Sequence, residues 1–466
     1  MFRRFYANTR PIPRQTWKLV SNEFYPPKTS PLSTSSTRPS RSQYLFIADV
    51  EDLDGYNPGG YHPLQIYDTL DNGRYRLVHK LGYGAYSTVW LARDLQNARY
   101  VAVKVNIADT SDTTHESSLI HKLRSSRKPG KEIIRSILGE FWAIGPNGRH
   151  KCIVTPPAQM SLPDSKDASA FGLFEPKVAQ SMIAQLIRGV AFLHDENIVH
   201  GDLHLGNILV QFPEAIDHLS TSELHGRFGR PEPDDVVRVD GKQLSDSIPP
   251  YVFLRGWFGV ASNDLALGQE NIILNDFGAS FNPHETRMFE SKTVPTLQPP
   301  EARFSNEPLS FASDIWTLAC TIWEILGRYP LFEVVFPTPD RVTAEQVEAL
   351  GILPPEWWDK WERRSEWFNE EGDMILKRVG GRMAWDQRFE HDIQKPRAQA
   401  GLEIVTKEER RALETMLRSM LAFRPRERAT AQQALHSEWM KHWGRPALEQ
   451  SGKTFKPEDK YPGIQI

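Results

Sequence analysis

A change of hydrophobic period divides this chain and limits what it can become. From Arg74 the pattern is that of strands. Tyr75, Leu77, His79 and Leu81 alternate with polar residues, two glycines follow, and Val89-Trp90-Leu91-Ala92 resumes the apolar run. A third run, Tyr100–Val105, is rich in β-formers. After Pro176 the period becomes helical. Met182, Leu186, Val190 and Leu193 recur at spacings of three and four, and Ala312–Leu326 and Lys407–Ala422 have the same texture. A small β-rich half followed by a larger helical half predicts two lobes, with an active site between them.

The totals narrow the class without naming it. The chain has 466 residues, 39% of them apolar and 25% charged, as in a soluble globular protein. A net charge of −3 gives no sign of broad binding to nucleic acid or to an anionic membrane. Cys152 and Cys320 cannot build a disulfide framework and lack metal-ligand spacing, which fits a reducing compartment. No apolar run approaches the roughly 18–20 residues needed to span a bilayer.

Outside the two lobes the chain reads as tail or insertion. Residues 1–60 are expected to be a disordered tail, because Pro26–Ser42 is rich in Pro, Ser, Thr and Arg. The N-terminus carries Arg3, Arg4, Arg10, Arg14 and Lys18 before its first acid, Glu23. That pattern resembles a mitochondrial transit peptide. Pro11 and Pro13 interrupt any amphipathic helix, so a plain basic tail explains it as well. Residues 212–268 are weakly periodic and read as an insertion, with more acids than bases. It is a docking element or, more simply, a solvated loop. Residues 333–400, with Trp357, Trp358, Trp361 and Trp367, read as a helical elaboration of the second lobe.

Four signals carry chemistry. In Gly82-Tyr83-Gly84-Ala85-Tyr86-Ser87-Thr88-Val89, glycines at a strand turn let backbone N–H groups approach phosphate oxygens. A hairpin turn alone would also explain them, and Ser87 stands where a third glycine would be. In Val101-Ala102-Val103-Lys104-Val105 the period of two sets Ala102 and Lys104 on one face. A lysine there requires an anion or an edge position that lets it snorkel. His200-Gly201-Asp202-Leu203-His204-Leu205-Gly206-Asn207 follows an apolar pair, and Asn275-Asp276-Phe277-Gly278 ends an apolar strand. Phosphoryl transfer needs a carboxylate near the attacking hydroxyl, oxygen ligands for Mg²⁺ and a cation on the phosphates. Asp202, Asn207, Asp276 and Lys104 supply that set. Each is ordinary alone; their order, each in its expected strand or loop, is specific.

On these residues the chain resembles the eukaryotic protein kinases from about Arg74 to Trp443. The resemblance implies an α+β, bilobal protein-kinase fold, with a small β-rich N-lobe at 74–158, a larger helical C-lobe at 159–443, and a C-terminal tail at 444–466. It implies an ATP- and Mg²⁺-dependent serine/threonine kinase. Asp202 would be the catalytic base, Lys104 the phosphate-holding lysine, Glu116 its partner, and Asn207 and Asp276 the Mg²⁺ ligands. Leu81, Gly82, Gly84, Ser87, Val89 and Ala102 would line the nucleotide site. Thr155 falls at the gatekeeper position, and Ala158 keeps the N–H that adenine recognition needs after Pro156 and Pro157. Glu301 in Pro299-Pro300-Glu301 matches the end of the activation segment, Arg428 its arginine partner, and Asp314-Ile315-Trp316 the helix whose Asp anchors the catalytic loop.

Within that superfamily the chain resembles the SR-protein kinases, especially the fungal ones. Tyr61-His62-Pro63-Leu64-Gln65-Ile66, the run Lys80–Trp90, the insertion before Asp276 and the helix Asp314–Leu326 carry this. The resemblance implies a monomer acting on protein Ser/Thr acceptors, with Arg/Ser-rich splicing factors as the candidate substrates. It implies no direct nucleic-acid partner, no membrane span, and a cytoplasmic or nuclear location; the N-terminus leaves the mitochondrial alternative open.

Two departures mark the catalytic loop. Gly201 replaces the arginine that commonly grips an activation-loop phosphate, so constitutive activity is expected. His204 replaces a lysine that touches the γ-phosphate, and a histidine is not reliably charged at pH 7. His-Gly-Asp-Leu-His also resembles small-molecule phosphotransferases, against which Glu301, Arg428 and Asp314 argue. A pseudokinase scaffold is the remaining alternative, although Lys104, Asp202 and Asp276 are all present. Glu116 is the weakest assignment, because it follows Lys104 closely. By position alone, Ser280, Ser291, Thr293 and Thr296 are candidates for autophosphorylation.

Overall fold

Alternating side chains build the first layer of the protein, described here by a computed structural model over residues 42–110, 116–375 and 384–452. The basic N-terminal stretch and its targeting reading lie outside these residues. Strands β1 (Thr69–Leu70), β2 (Tyr75–Gly84), β3 (Ser87–Asp94), β4 (Arg99–Asn106), β5 (Gly139–Gly145) and β6 (Gly148–Thr155) form one antiparallel sheet. Its order is β1-β2-β3-β4-β6-β5. Val101, Val103 and Val105 point to one face and are buried with Trp90, Ala92, Cys152 and Val154. Helix α1 (Glu116–Ser125) is the one α-helix described between β4 and β5.

The second layer is helical. Strand β7 (Ala158–Ser161) leads through α2 (Leu162–Asp167) to α3 (Pro176–Asp195). Strand β8 (Ile208–Gln211) then pairs antiparallel with β7. The following segment supplies α4 (Thr221–Phe228) and the hairpin of β9 (Pro233–Asp235) and β10 (Tyr251–Phe253). Strand β11 (Ile272–Leu274) returns to pair with β8. After α5 (Glu301–Phe304), helix α6 (Phe311–Leu326) is apolar on nearly every side and buried almost throughout, as a central core helix must be. Together with α3 it forms the main core, where Met182, Leu186, Val190, Ile315, Trp316 and Ile322 meet.

Three boundaries differ from expectation. Residues 44–60 are not tail: Tyr44, Leu53, Tyr56 and Tyr61 bury against Val236, Ile248 and Val252. The 212–268 stretch is not a solvated loop. Its Ile216, Leu224 and Phe258 pack on Val78, Leu91 and Tyr100 of the sheet, and Phe253 meets Trp90 edge-on. At the C-terminus the helix Arg445–Gln450 buries Ala447 and Leu448, so the folded chain passes the expected end at 443. In each case short apolar runs are broken by polar residues, Gly or Pro, so no sustained period registers. The Trp-rich segment is helical as expected, with α7 (Pro339–Leu350) followed by a short helix at Pro355–Trp358. Trp357, Trp361 and Phe368 form a satellite core there with Phe304.

Candidate active site

Antiparallel register gathers the expected nucleotide-side residues on one face of the sheet. Directly paired residues share a face, and Val89 pairs with Lys104 while Ala102 pairs with Thr155. Because Ala102 and Lys104 are two apart, all four project the same way. Gly82 pairs with Val89, and Gly84 closes the hairpin opposite Ser87. A Cβ at Gly82 or Gly84 would meet no protein atom within 4 Å, so packing within the chain does not explain these glycines. Leu81 is half-buried on the same hairpin, and Ala158 opens β7 just beyond Thr155.

The lysine on this face has its anion. Lys104 Nζ lies 2.9 Å from Glu116 Oε2 and 3.9 Å from Asp276 Oδ1. Burial works against the ammonium, but these two carboxylates outweigh it, and the Lys104 pKa rises above its ordinary value. Glu116 also accepts the Phe277 N–H through Oε1 at 3.3 Å, so one carboxylate ties the lysine to Asp276-Phe277-Gly278. The proximity of Glu116 to Lys104 in sequence is therefore no obstacle to their pairing.

Strand pairing explains how a long insertion leaves the site intact. Ile208 pairs with Leu274, and the Asn275 N–H donates to the Asn207 carbonyl at 2.9 Å. Asn207 and Asp276 therefore flank the joined ends of β8 and β11, whatever lies between them in sequence. The entropic cost of a longer loop grows only slowly. The Asn207 side chain donates to the Asp202 carbonyl at 2.9 Å and to its Oδ2 at 3.3 Å. His204 accepts the Gly206 N–H on Nδ1, which leaves the proton on Nε2, and that atom faces Asp202 Oδ1 at 3.6 Å.

A buried acid holds this loop from below. Asp314 on α6 accepts the N–H of His200 at 2.7 Å and of Gly201 at 3.0 Å, and meets His194 Nε2 at 3.2 Å. Burial alone would raise its pKa; the His194 hydrogen bond, electrostatic interaction with His194 and His200, and the Gly201 N–H reverse that, and the pKa falls below the ordinary value. The His200 pKa also falls below its ordinary value, because burial disfavours its charged form. Gly201 occupies φ +78°, where a Cβ would sit 2.5 Å from the Ala279 carbonyl oxygen. Gly201→Ala is expected to lower unfolding stability by about 1–3 kcal/mol, read from urea midpoints. The same conflict awaits Gly201→Arg, so glycine here is a backbone requirement as well as a missing arginine.

The remaining expected positions divide. Arg428 grips Glu301 bidentately at 2.7 and 2.6 Å in a buried site. Ser280 and Thr293 are buried, and the Ser280 hydroxyl donates to the His200 carbonyl, so neither is open to a phosphoryl donor; Ser291 and Thr296 are half-buried. Sequence reasoning missed Arg135. Its Nη1 donates to Asn275 Oδ1 at 2.9 Å, beside Asp276, and burial lowers its pKa to about 10 while Glu116 opposes the shift. No periodic signal marks Arg135, which sits in an irregular stretch after α1.

Comparison with known proteins agrees with this geometry. A family model described as "protein kinase domain" matches residues 75–217 and 261–440, leaving out most of the insertion. The chain belongs to the protein kinase family. It is similar to a serine/threonine protein kinase of Aspergillus fumigatus, 25% identical over 84% of this chain and 90% of the relative. The serine/threonine-protein kinase SRPK of Physarum polycephalum is 24% identical over 85% of this chain and 92% of its own. Human SRSF protein kinase 3 is 34% identical over a shorter stretch, 40% of this chain and 34% of the relative. A crystallised kinase domain superimposes with a TM-score of 0.57 at 17% identity, covering 82% of this chain and 98% of that one.

Proposed function

We propose that this kinase transfers the γ-phosphoryl group of ATP to Ser or Thr hydroxyls of Arg/Ser-rich protein substrates. The observation that carries the reading is the cluster of Lys104 with Glu116 and Asp276, set beside Asp202 and Asn207. Serine/threonine acceptors and Arg/Ser-rich sequences are supported by the names and similarity of the relatives. Protein acceptors are favoured over small molecules by the Glu301–Arg428 and Asp314 anchors, which belong to a protein-kinase C-lobe.

The donor chemistry suits Mg²⁺. Asn207 and Asp276 offer hard oxygen ligands, and the Asp276 side chain is about half exposed (49%), open to a cation shared with phosphate oxygens. When bound, the ion would neutralise charge on the phosphates. Lys104 would hold phosphate oxygens while Glu116 keeps its ammonium in place. Asp202 would orient the acceptor hydroxyl and take up its proton. His204, with its proton on Nε2 toward Asp202, would help set that carboxylate. Leu81, Val89, Ala102 and Thr155 would enclose the adenine, with the Ala158 N–H as its hydrogen-bond donor. Gly82, Gly84 and Ser87 would cover the phosphates. We also infer a monomeric protein of the cytoplasm or nucleus, which size-exclusion chromatography and imaging of the tagged protein would check.

The test offers radiolabelled ATP with a basic Ser/Arg peptide, a generic basic protein, and choline or an aminoglycoside. Label is expected on the Ser/Arg peptide and is expected to disappear with Lys104→Met. Label on the small molecule alone would overturn the protein-kinase reading. ATP binding without any transfer would make the chain a scaffold.

A further inference from the structure

The segment before the sheet contains a buried charge cluster that none of the roles above uses. Glu51 and Lys80 form an ion pair with both side chains about 99% buried. The Tyr56 hydroxyl donates to the other oxygen of Glu51 at 2.5 Å. Burial pushes the Lys80 pKa down, and Glu51 partly restores it. Lys80 lies on β2 just before Gly82, so Glu51 reaches the root of the glycine hairpin. A second contact reaches its tip: the Tyr61 hydroxyl donates to the Gly84 carbonyl at 2.8 Å.

The same segment also grips the chain on the way to α1. The N–H groups of Ala108 and Asp109 donate to the Gly60 and Gly59 carbonyls at 3.1 and 2.9 Å, and the Gly59 N–H donates to the Asn147 carbonyl at 2.8 Å. Gly59 sits at φ +91°, and a Cβ there would be 2.3 Å from Asp109 Oδ1, so this approach requires glycine. The insertion backs the segment from behind, since the Asn147 side chain donates to both the Tyr61 and Ser247 carbonyls at 2.7 Å. The contacts at 51–61 thus hold the hairpin root, the hairpin tip and the approach to the helix of Glu116 on one rigid piece.

We infer that residues 51–61 act as a clamp that positions the Gly82–Gly84 hairpin over the nucleotide phosphates, with Tyr61 and Glu51 as its positioning residues. This rests on the ATP-binding reading given above. A glycine hairpin whose Cβ positions meet no other protein atom has little packing of its own to fix its height. The Tyr61 hydrogen bond supplies that restraint at the tip, and the Glu51–Lys80 pair supplies it at the root. Neither Tyr61 nor Glu51 contributes a group to the reacting atoms, so the signature of the clamp is nucleotide affinity more than turnover.

Tyr61→Phe tests it in the full chain, because phenylalanine keeps the buried ring and removes the one hydroxyl. KM for Mg·ATP is expected to rise about three- to tenfold, the scale of one net hydrogen bond, with the peptide KM unchanged. Amide hydrogen exchange over residues 82–88 is expected to quicken severalfold. The double variant Glu51→Gln, Lys80→Met repeats the test at the root with the volume retained. If the Tyr61→Phe enzyme keeps both its ATP KM and its exchange rates, or shows only a lower Tm, the clamp is overturned. Should the wild-type protein bind no Mg·ATP, the kinase reading fails on its own, while the exchange measurement still decides whether the clamp exists.

Discussion

Asp276→Asn is expected to reduce phosphoryl transfer by at least about a thousandfold while leaving the fold intact. Loss of one preorganised charge-stabilising group commonly lowers turnover by about 10²–10³, and here the lost carboxylate would also hold Mg²⁺. Asparagine is the sharper choice over alanine because Asp276 sits at φ 62°, a left-handed conformation that Asn and Asp tolerate and other side chains resist. The carboxylate lies 3.9 Å from Lys104 Nζ and is half exposed, so its neutralisation removes little from the core. Stability is therefore expected to stay within about 0.5 kcal/mol of wild type. The measurement is steady-state transfer to a Ser/Arg peptide, with urea denaturation as the control. Turnover within tenfold of wild type would remove Asp276 from the proposed metal site.

What the sequence made legible follows from how strictly each feature is constrained locally. Lys104 could be read because a lysine in an apolar strand is costly without an anion, and because the period of two assigns its face. Asp202, Asn207 and Asp276 could be picked out as candidates because they occur in a fixed order, Asp202 in a loop and Asn207 and Asp276 beside the ends of β8 and β11. The insertion between Asn207 and Asp276 did not hide them, since the pairing of Ile208 with Leu274 closes the gap. The central helix was legible because α6 is apolar on nearly every side.

The rest was decided by contacts between distant residues that leave no local pattern. Arg135 finds Asn275, 140 positions away, from an irregular stretch with no period. Tyr61 meets Gly84 across 23 positions, and Glu51 meets Lys80 across 29. Nothing in the composition of 44–60 marks it as folded, because its three buried hydrophobic side chains, Tyr44, Leu53 and Tyr56, are spread among Asp, Gly, Pro and Asn. The insertion follows the same rule. Leu224 and Phe258 bury against the sheet and Val236, Ile248 and Val252 against the segment before it, contacts that no sustained helical or strand period announces.

Arg428→Met is expected to be the more damaging of two variants at the buried anchor of the C-lobe. The guanidinium donates to both oxygens of Glu301 and to the carbonyls of Ala422, Ala312 and Phe423, at 2.6–2.9 Å. It also lies 5.0 Å from the centre of the Trp316 ring. Replacing arginine leaves a buried carboxylate and three carbonyls without their donor, and removing one partner of a buried pair costs about 3–5 kcal/mol. Glu301→Gln keeps a carbonyl-type oxygen for the arginine and leaves the three backbone acceptors satisfied, so its cost is expected to be about half or less. Urea midpoints measure the difference, and a Tm fall on the order of 5–10 °C should accompany the arginine variant. If Glu301→Gln were the worse of the two, the anchor would depend on the charge of Glu301. The expected order instead makes Arg428 the hub that joins α5, α6 and the loop after Met420, because it bonds to all three.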